Sequence, residues 1–382
     1  MKQIVEAIIE RAIQIQQIPA PTFREHQRAA FLKDHFHAEG LKDIEIDTLG
    51  NVYARWPGDG MAGPIIVSAH TDTVFPPDTD LACARKNGKL YGPGIGDNSL
   101  GVAGLFGLLW ALRRSRKAIP GDLWLVANVR EEGLGDLKGM RAVVDRFGDA
   151  PLAYIVLEGM SLGKIYHRGL GVQRYHIHAQ TQGGHSWADY GAPSAIHELS
   201  ALITRLTAIP ISKRPRASLN VGVVSGGFSV NTIAAEASLE LDLRAEKPEP
   251  LQKLVQVVEK LVTESNRPGV QFRAKIIGQR PAGEIPPDHP LVKAAVSALQ
   301  KQGIRPQRSI GSTDANIPLS RGLPAVCIGL THGGGAHTTR EFIEPRPVEQ
   351  GMAQLLALTQ IVYETTRECP FHPSGCGCIR AS

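Results

Sequence analysis

Apolar and polar residues follow one another along this chain in two rhythms. At the N-terminus Ile4, Ile8 and Ala12 share one helical face, which predicts a helix over residues 1–17 that Pro19 and Pro21 stop. A second helix is predicted over 23–38. Short apolar runs then alternate with helical patterns: Ile65–Ala69, Leu123–Val129, Leu152–Leu157 and Ala325–Leu330, each bounded by Gly or Pro. Runs of that kind are expected of strands buried on both faces of a mostly parallel sheet. The helix Leu100–Arg113 lies between the first two, which gives an α/β layer pattern.

Residues 170–282 follow the second rhythm. Val172–Ala179 alternates as a strand with His176 and His178 on one face, and Pro193–Leu206 is helical. Strands Ser218–Ser225 and Ala235–Arg244, helix Pro250–Ser265 and strand Val270–Ile277 follow. The order β-α-β-β-α-β is that of a ferredoxin-like unit. Pro286-Pro287-Asp288-His289-Pro290 marks a boundary, after which helix 291–302 and strand 325–330 resume the first rhythm. The organisation predicted is one α/β domain, residues 1–169 and 283–382, with 170–282 inserted as a smaller domain.

Composition narrows the function. The 382 residues are 42% apolar and 21% charged, which excludes a disordered chain. A net charge of +5 that is spread rather than clustered, with only 5% aromatic residues, argues against a nucleic-acid partner. The longest clean apolar stretch, Gly104 to Leu112, is far short of the roughly 20 residues that span a bilayer, so no membrane role is expected. The N-terminal segment has acidic residues at helical spacing and does not read as a signal peptide. Five cysteines without a framework spacing fit a reducing cytoplasm. Three of them crowd the tail Cys369-Pro-Phe-His372…Cys376-Gly-Cys378, whose soft ligands match no common zinc module.

The ionisable residues fall where the strands end. Ile65–Ala69 leads into His70-Thr71-Asp72, Leu123–Val129 into Arg130-Glu131-Glu132, and Ala153–Leu157 into Glu158. Ala325–Leu330 leads into a glycine-rich segment ending at His337. Ligands of open α/β sheets bind outside the carboxyl ends of the strands, so four strands deliver Asp, Glu or His to one edge. Asp97 joins them from the loop Gly92-Pro-Gly-Ile-Gly-Asp97. That loop lacks the dinucleotide spacing and follows no clear strand, which argues against a Rossmann cofactor. Singly, each residue reads equally well as a loop-solvating group or a helix cap. Adjacent Glu131 and Glu132 repel unless a cation is near, and histidines converging with carboxylates are what a divalent zinc site requires.

These elements resemble the dizinc metallopeptidases that include glutamate carboxypeptidase, peptidase T, aminoacylase and acetylornithine deacetylase. His70-Thr-Asp72 is similar to the family's H-x-D element, Asp97 with Gly101 to its D-x-x-x-G element, and Arg130-Glu131-Glu132 to its paired glutamates. Glu158 and Gly333-Gly-Gly-Ala-His337-Thr-Thr-Arg-Glu-Phe-Ile resemble the later carboxylate and the final histidine element. In the inserted domain Gly184-His185-Ser186, Asn231 and Asp242-Leu-Arg244 resemble the lid's histidine, asparagine and arginine. Many members carry Lys two residues after the bridging Asp where this chain has Ser99, a departure that bears on substrate class.

The resemblance implies two Zn2+ ions, with Co2+ or Mn2+ as substitutes. His70 and Glu158 would hold one, Glu132 and His337 the other, and Asp97 would bridge them. It implies that Asp72 orients His70, that Glu131 is the general base, and that Arg244 and Asn231 bind substrate. It further implies a homodimer paired through the lid, each His185 reaching the partner's metals to stabilise an oxyanion. The expected activity is hydrolysis of an amide bond in a small peptide or N-acyl amino acid, as carboxypeptidase, dipeptidase, aminopeptidase or deacylase. Glu158, where peptidase T-like members tend to Asp, leans away from a tripeptide aminopeptidase. The contrasting expectation is a non-catalytic metal- or peptide-binding protein on the same fold. Loss of Glu131 or of a ligand would favour it, and none is lost.

Overall fold

The computed structural model describes residues 2–115 and 118–365 of the chain. The tail with Cys369, His372, Cys376 and Cys378 lies outside them. The chain divides into two compact units: Gly169–Gly283 interrupts the other, which is formed by the described residues before and after it.

The larger unit is built on a nine-stranded sheet. Its centre is four parallel strands in the order Leu123–Asn128, Ile65–His70, Ala153–Glu158, Ala325–Gly329. Nearly every residue in these runs is buried, which is why they read as continuous apolar segments. Beyond them the sheet continues antiparallel, with Val52–Trp56 and Lys42–Ile46 on one side and Lys164–Gly169 on the other. The edge strand Lys42–Ile46 is mostly exposed, so it carries no apolar run to announce it. Helices Lys2–Gln16, Leu100–Ser115 and Val348–Thr365 pack on one another, and Phe36 of helix His26–Ala38 stacks on Phe106 with ring centroids 4.7 Å apart. Each fully buried Ile, Leu or Phe of this core contributes roughly 1.5–3 kcal/mol.

Three expectations change. The second helix begins at His26, three residues later than the pattern placed it. The glycine-rich loop does follow a strand, Lys89–Tyr91, part of a small sheet with Ala84–Lys86, Gly333–Gly334 and Phe342–Ile343. The segment Ile95–Ser115 is 21 residues, long and apolar enough to cross a membrane by length and composition. Yet 89% of its apolar window is buried inside the protein, which makes it a core helix.

The inserted unit has one four-stranded antiparallel sheet in the order Ala217–Gly226, Glu236–Ala245, Gly171–Thr181, Val270–Arg280. Helices Ala195–Thr207 and Pro248–Glu264 pack against it, and Leu199, Leu202, Leu206, Val258 and Val262 meet Tyr175, Ile177, Leu239 and Leu241 in its own core. The chain order is β-α-β-β-α-β.

Candidate metal centre

The parallel registers place the strand ends level. His70 pairs with Asn128, two residues before Arg130-Glu131-Glu132, and Gly329 pairs with Glu158. Asp97 arrives on the loop after Lys89–Tyr91, and His337 on the turn between Gly333–Gly334 and Phe342–Ile343. His337 has φ +62°, a left-handed conformation that His visits more readily than most side chains.

Asp97 stands between the two histidines. Its Oδ1 lies 3.1 Å from His70 Nε2 and its Oδ2 3.1 Å from His337 Nε2. Glu158 Oε2 is 3.8 Å from His70 Nε2, and Glu132 Oε1 is 3.2 Å from His337 Nε2. Two donor sets result, His70–Asp97–Glu158 and Asp97–Glu132–His337, each with ligand atoms within 4.8 Å of one another. They share one carboxylate, as a pair of cations held by a bridging Asp requires. Glu131 lies in a third such set, with His70 and Glu132. The donor chemistry, two imidazoles and several carboxylates, fits two divalent ions.

The electrostatics ask for positive charge. Burial works to lower the pKa of His70, but the Asp72 carboxylate close beside its ring, the hydrogen bond to Asp97 and the charges of Glu158 and Glu131 lift it well above the ordinary value. Hydrogen bonds to Asp97 and Glu132 push His337 up to about 10. Burial would raise the pKa of Asp97; the hydrogen bonds from His337 and His70 outweigh it and hold it well below the carboxylate range. Glu158 goes the other way: burial and the like charges of Asp97, Glu131 and Asp314 raise it, against the pull of His70. Protons are thus drawn onto the histidines and Glu158, the places where bound cations would supply the same charge.

The supports are built as carefully as the ligands. His70 Nδ1 donates to the backbone carbonyl of Asp72 at 3.1 Å, while the nearer Asp72 carboxylate oxygen stands at 3.6 Å, too far for a hydrogen bond. The fully buried carboxylate of Asp72 instead accepts the backbone N–H groups of Glu131 and Glu132, each at 2.9 Å, and the Thr22 hydroxyl at 2.9 Å. Asp72 therefore fixes the glutamate pair as well as the histidine, a role the sequence does not announce. Asn98 ties the Asp97 loop to the next strand, donating to the Leu157 carbonyl and accepting from Gly159 N–H, both at 2.8 Å. A Cβ on Gly101 would lie 2.0 Å from Asn98 Oδ1, so any larger residue there would push the Asn98 side chain out of these bonds. Ser99 is buried at the start of the core helix and its hydroxyl has no hydrogen-bond partner among the described residues.

Glu341 was given no part by sequence. Its carboxylate is fully buried and accepts three backbone N–H groups: Gly94 at 3.0 Å, Gly96 at 2.7 Å and Asp97 at 2.8 Å. Burial pushes its pKa up to about 7, against the opposing pull of those N–H groups. The one available signal was its spacing, four residues after His337.

His185, Asn231 and Arg244 lie in the inserted unit. His185 pairs with Thr232 in a two-residue bridge, and the Asn231 carbonyl accepts from Ser186 N–H at 3.0 Å. His185 Nδ1 accepts the N–H groups of Trp187 and Ala188 at 3.2 and 3.3 Å, which in the neutral ring puts the proton on Nε2. Arg244 Nε donates to Asp242 Oδ2 at 2.7 Å, and Asp242 also accepts from Arg174 at 2.9 Å.

Residues 66–362 match the family described as Peptidase family M20/M25/M40. A succinyl-diaminopimelate desuccinylase of Corynebacterium glutamicum is 24% identical over 341 residues, 87% of this chain and 90% of that protein. Among solved structures, a tripeptidase from Staphylococcus aureus superposes with a TM-score of 0.82 at 21% identity, over 94% of this chain and 99% of its own. A dinuclear metal-binding peptidase of Bacillus subtilis superposes with a TM-score of 0.70 at 18% identity, over 96% and 100%. At those identities the two structures speak for the fold.

Proposed function

The chain belongs to peptidase family M20/M25/M40, and from that premise we propose that it hydrolyses the amide bond of a small peptide or N-acyl amino acid with two Zn2+ ions and Glu131 as general base. The observation that carries this reading is the pair of donor sets sharing Asp97, with Glu131 beside them. His70 and Glu158 would hold one ion, Glu132 and His337 the other, and Asp97 both. Bound there, the ions supply Lewis-acid polarisation of the scissile carbonyl and lower the pKa of water.

The chain's own residues do the rest. Asp72 holds the backbone on which Glu131 and Glu132 stand, so their carboxylates face the histidines without searching. Glu131 accepts the proton of the attacking water and delivers it to the leaving amide nitrogen, so that the amine departs neutral. Arg244 is the candidate for a substrate carboxylate, since a guanidinium fork suits bidentate pairing; its present partner Asp242 would share it. His185, with its proton on Nε2, is the candidate oxyanion donor. A deacylase or carboxypeptidase-like specificity is favoured by Glu158 and by the desuccinylase match over most of both chains. A cytoplasmic setting suits Cys83 and Cys327, both free thiols.

The test separates base from ligand. Glu131→Gln should lower turnover on a panel of dipeptides and N-acyl amino acids by roughly 10²–10⁴-fold, while the isolated protein keeps two metals. Glu132→Gln should lose metal. Equal metal loss in the two variants would sink the assignment of Glu131 as a non-ligand.

A further inference from the structure

We propose that Glu341 is a positioning residue of the metal centre, fixing where Asp97 stands between the two histidines. The inference rests on the reading of Asp97 as the shared ligand.

Asp97 follows Gly92, Gly94 and Gly96, a stretch with little intrinsic preference for one conformation. Something must hold it, because a shared carboxylate serves both sets only if its two oxygens stay directed at His70 and His337. Glu341 meets that need from the opposite segment. Its carboxylate gathers the N–H groups of Gly94, Gly96 and Asp97, and its own carbonyl accepts Gly92 N–H at 3.0 Å. Three converging backbone N–H groups make an anion-binding concavity, filled here by a side chain of the same chain.

The placement joins the two donor segments. Glu341 N–H donates to the Thr338 carbonyl at 3.1 Å, within the turn that carries His337. The next residue, Phe342, pairs with Tyr91, which leads into the Asp97 loop. No Lys, Arg or His among the described residues pairs with the Glu341 carboxylate; its partners are the loop's amides. A buried carboxyl group is a costly way to fill space, and an apolar side chain would do that better. The carboxylate makes sense as a clamp on the backbone that presents Asp97.

The experiment uses metal-free protein and reads binding, not turnover. Glu341→Ala, Glu341→Gln and Asp97→Asn are titrated with Zn2+ and Co2+ by calorimetry, with the Co2+ absorption spectrum as a second readout and circular dichroism as the check on folding. Glu341→Ala should bind both ions about 10–100-fold more weakly, the range for losing a group that orients a ligand. Glu341→Gln should lose roughly tenfold, because its amide oxygen can still serve Gly96 and Asp97 while its NH2 group faces Gly94 N–H. If Glu341→Ala does not fold, the glutamine variant decides. Parent-like affinity and spectrum in Glu341→Gln would overturn the proposal. Asp97→Asn distinguishes the two failures: if it binds like the parent, the ligand assignment falls, and if it alone loses metal, only the clamp falls.

Discussion

At the scale of single residues, Asp97 is the group that both donor sets share, with one oxygen 3.1 Å from each histidine. Removing it should therefore differ in kind from removing a histidine. Asp97→Ala is expected to lower occupancy of both metals, whereas His70→Ala and His337→Ala should each mainly empty one; metal content by plasma mass spectrometry checks this, and full occupancy in Asp97→Ala would dismiss the bridge. These residues were legible because each is a polar group placed directly after a buried apolar strand, or at the end of a glycine run. Glu341 and the second role of Asp72 were not. Their partners are backbone amides, and an amide looks the same at every position of a sequence. Gly94 lies 247 residues from Glu341, so nothing local marks the pair.

At the scale of elements, legibility followed burial. The four central strands carry their own signal because both faces are covered. Lys42–Ile46 is an exposed edge, and the strands of the small sheet that holds His337 are two or three residues long, too short for any period to show. The boundary at Pro286–Pro290 proves to be a helix start. His289 is the N-cap of helix Pro290–Gln300, its Nδ1 accepting Leu291 N–H at 3.2 Å. Acceptance requires the neutral ring, and burial lowers the His289 pKa, partly offset by Asp288. The unfolded chain takes up the proton first, so the cap's contribution is complete above the ordinary pKa, about 6.5, and falls as pH drops through it toward the folded-state value. His289→Asn keeps an acceptor that does not titrate. The melting temperature of the parent should therefore drop relative to His289→Asn between pH 7.5 and pH 5. His289→Ala should lose about 1 kcal/mol at pH 7.5. A parent-to-asparagine difference that stays constant across that range would rule out the cap as the titrating group.

At the scale of the whole molecule, the homodimer that the resemblance implies can be tested on one surface of the inserted unit. Its sheet has two edges, and an unpaired edge is normally guarded by charge. Val270–Arg280 carries exposed Arg273 and Lys275, whereas Ala217–Gly226 carries no charged residue. Val223 and Val224 on that strand are 51% and 58% exposed, and Trp187, Tyr190, Phe228 and Val230 in nearby segments of the chain are at least 87% exposed. Apolar exposure on that scale marks an interaction surface. A two-fold pairing of this edge with itself is the simplest closed arrangement, and the expected assembly is a homodimer. Val223→Lys with Val224→Lys should then halve the mass seen in sedimentation while leaving the metal content of each chain intact. If His185 serves the partner's centre, as the resemblance implies, activity should also pass between subunits. His185→Ala and Glu131→Gln should each be impaired alone. After random exchange, half the dimers are mixed, and one of the two sites in each combines an intact Glu131 with an intact His185 from its neighbour. Activity should rise to about a quarter of the parent's. A mixture that demonstrably exchanges subunits yet stays at the sum of its two components would place His185 within its own chain or outside the reaction altogether.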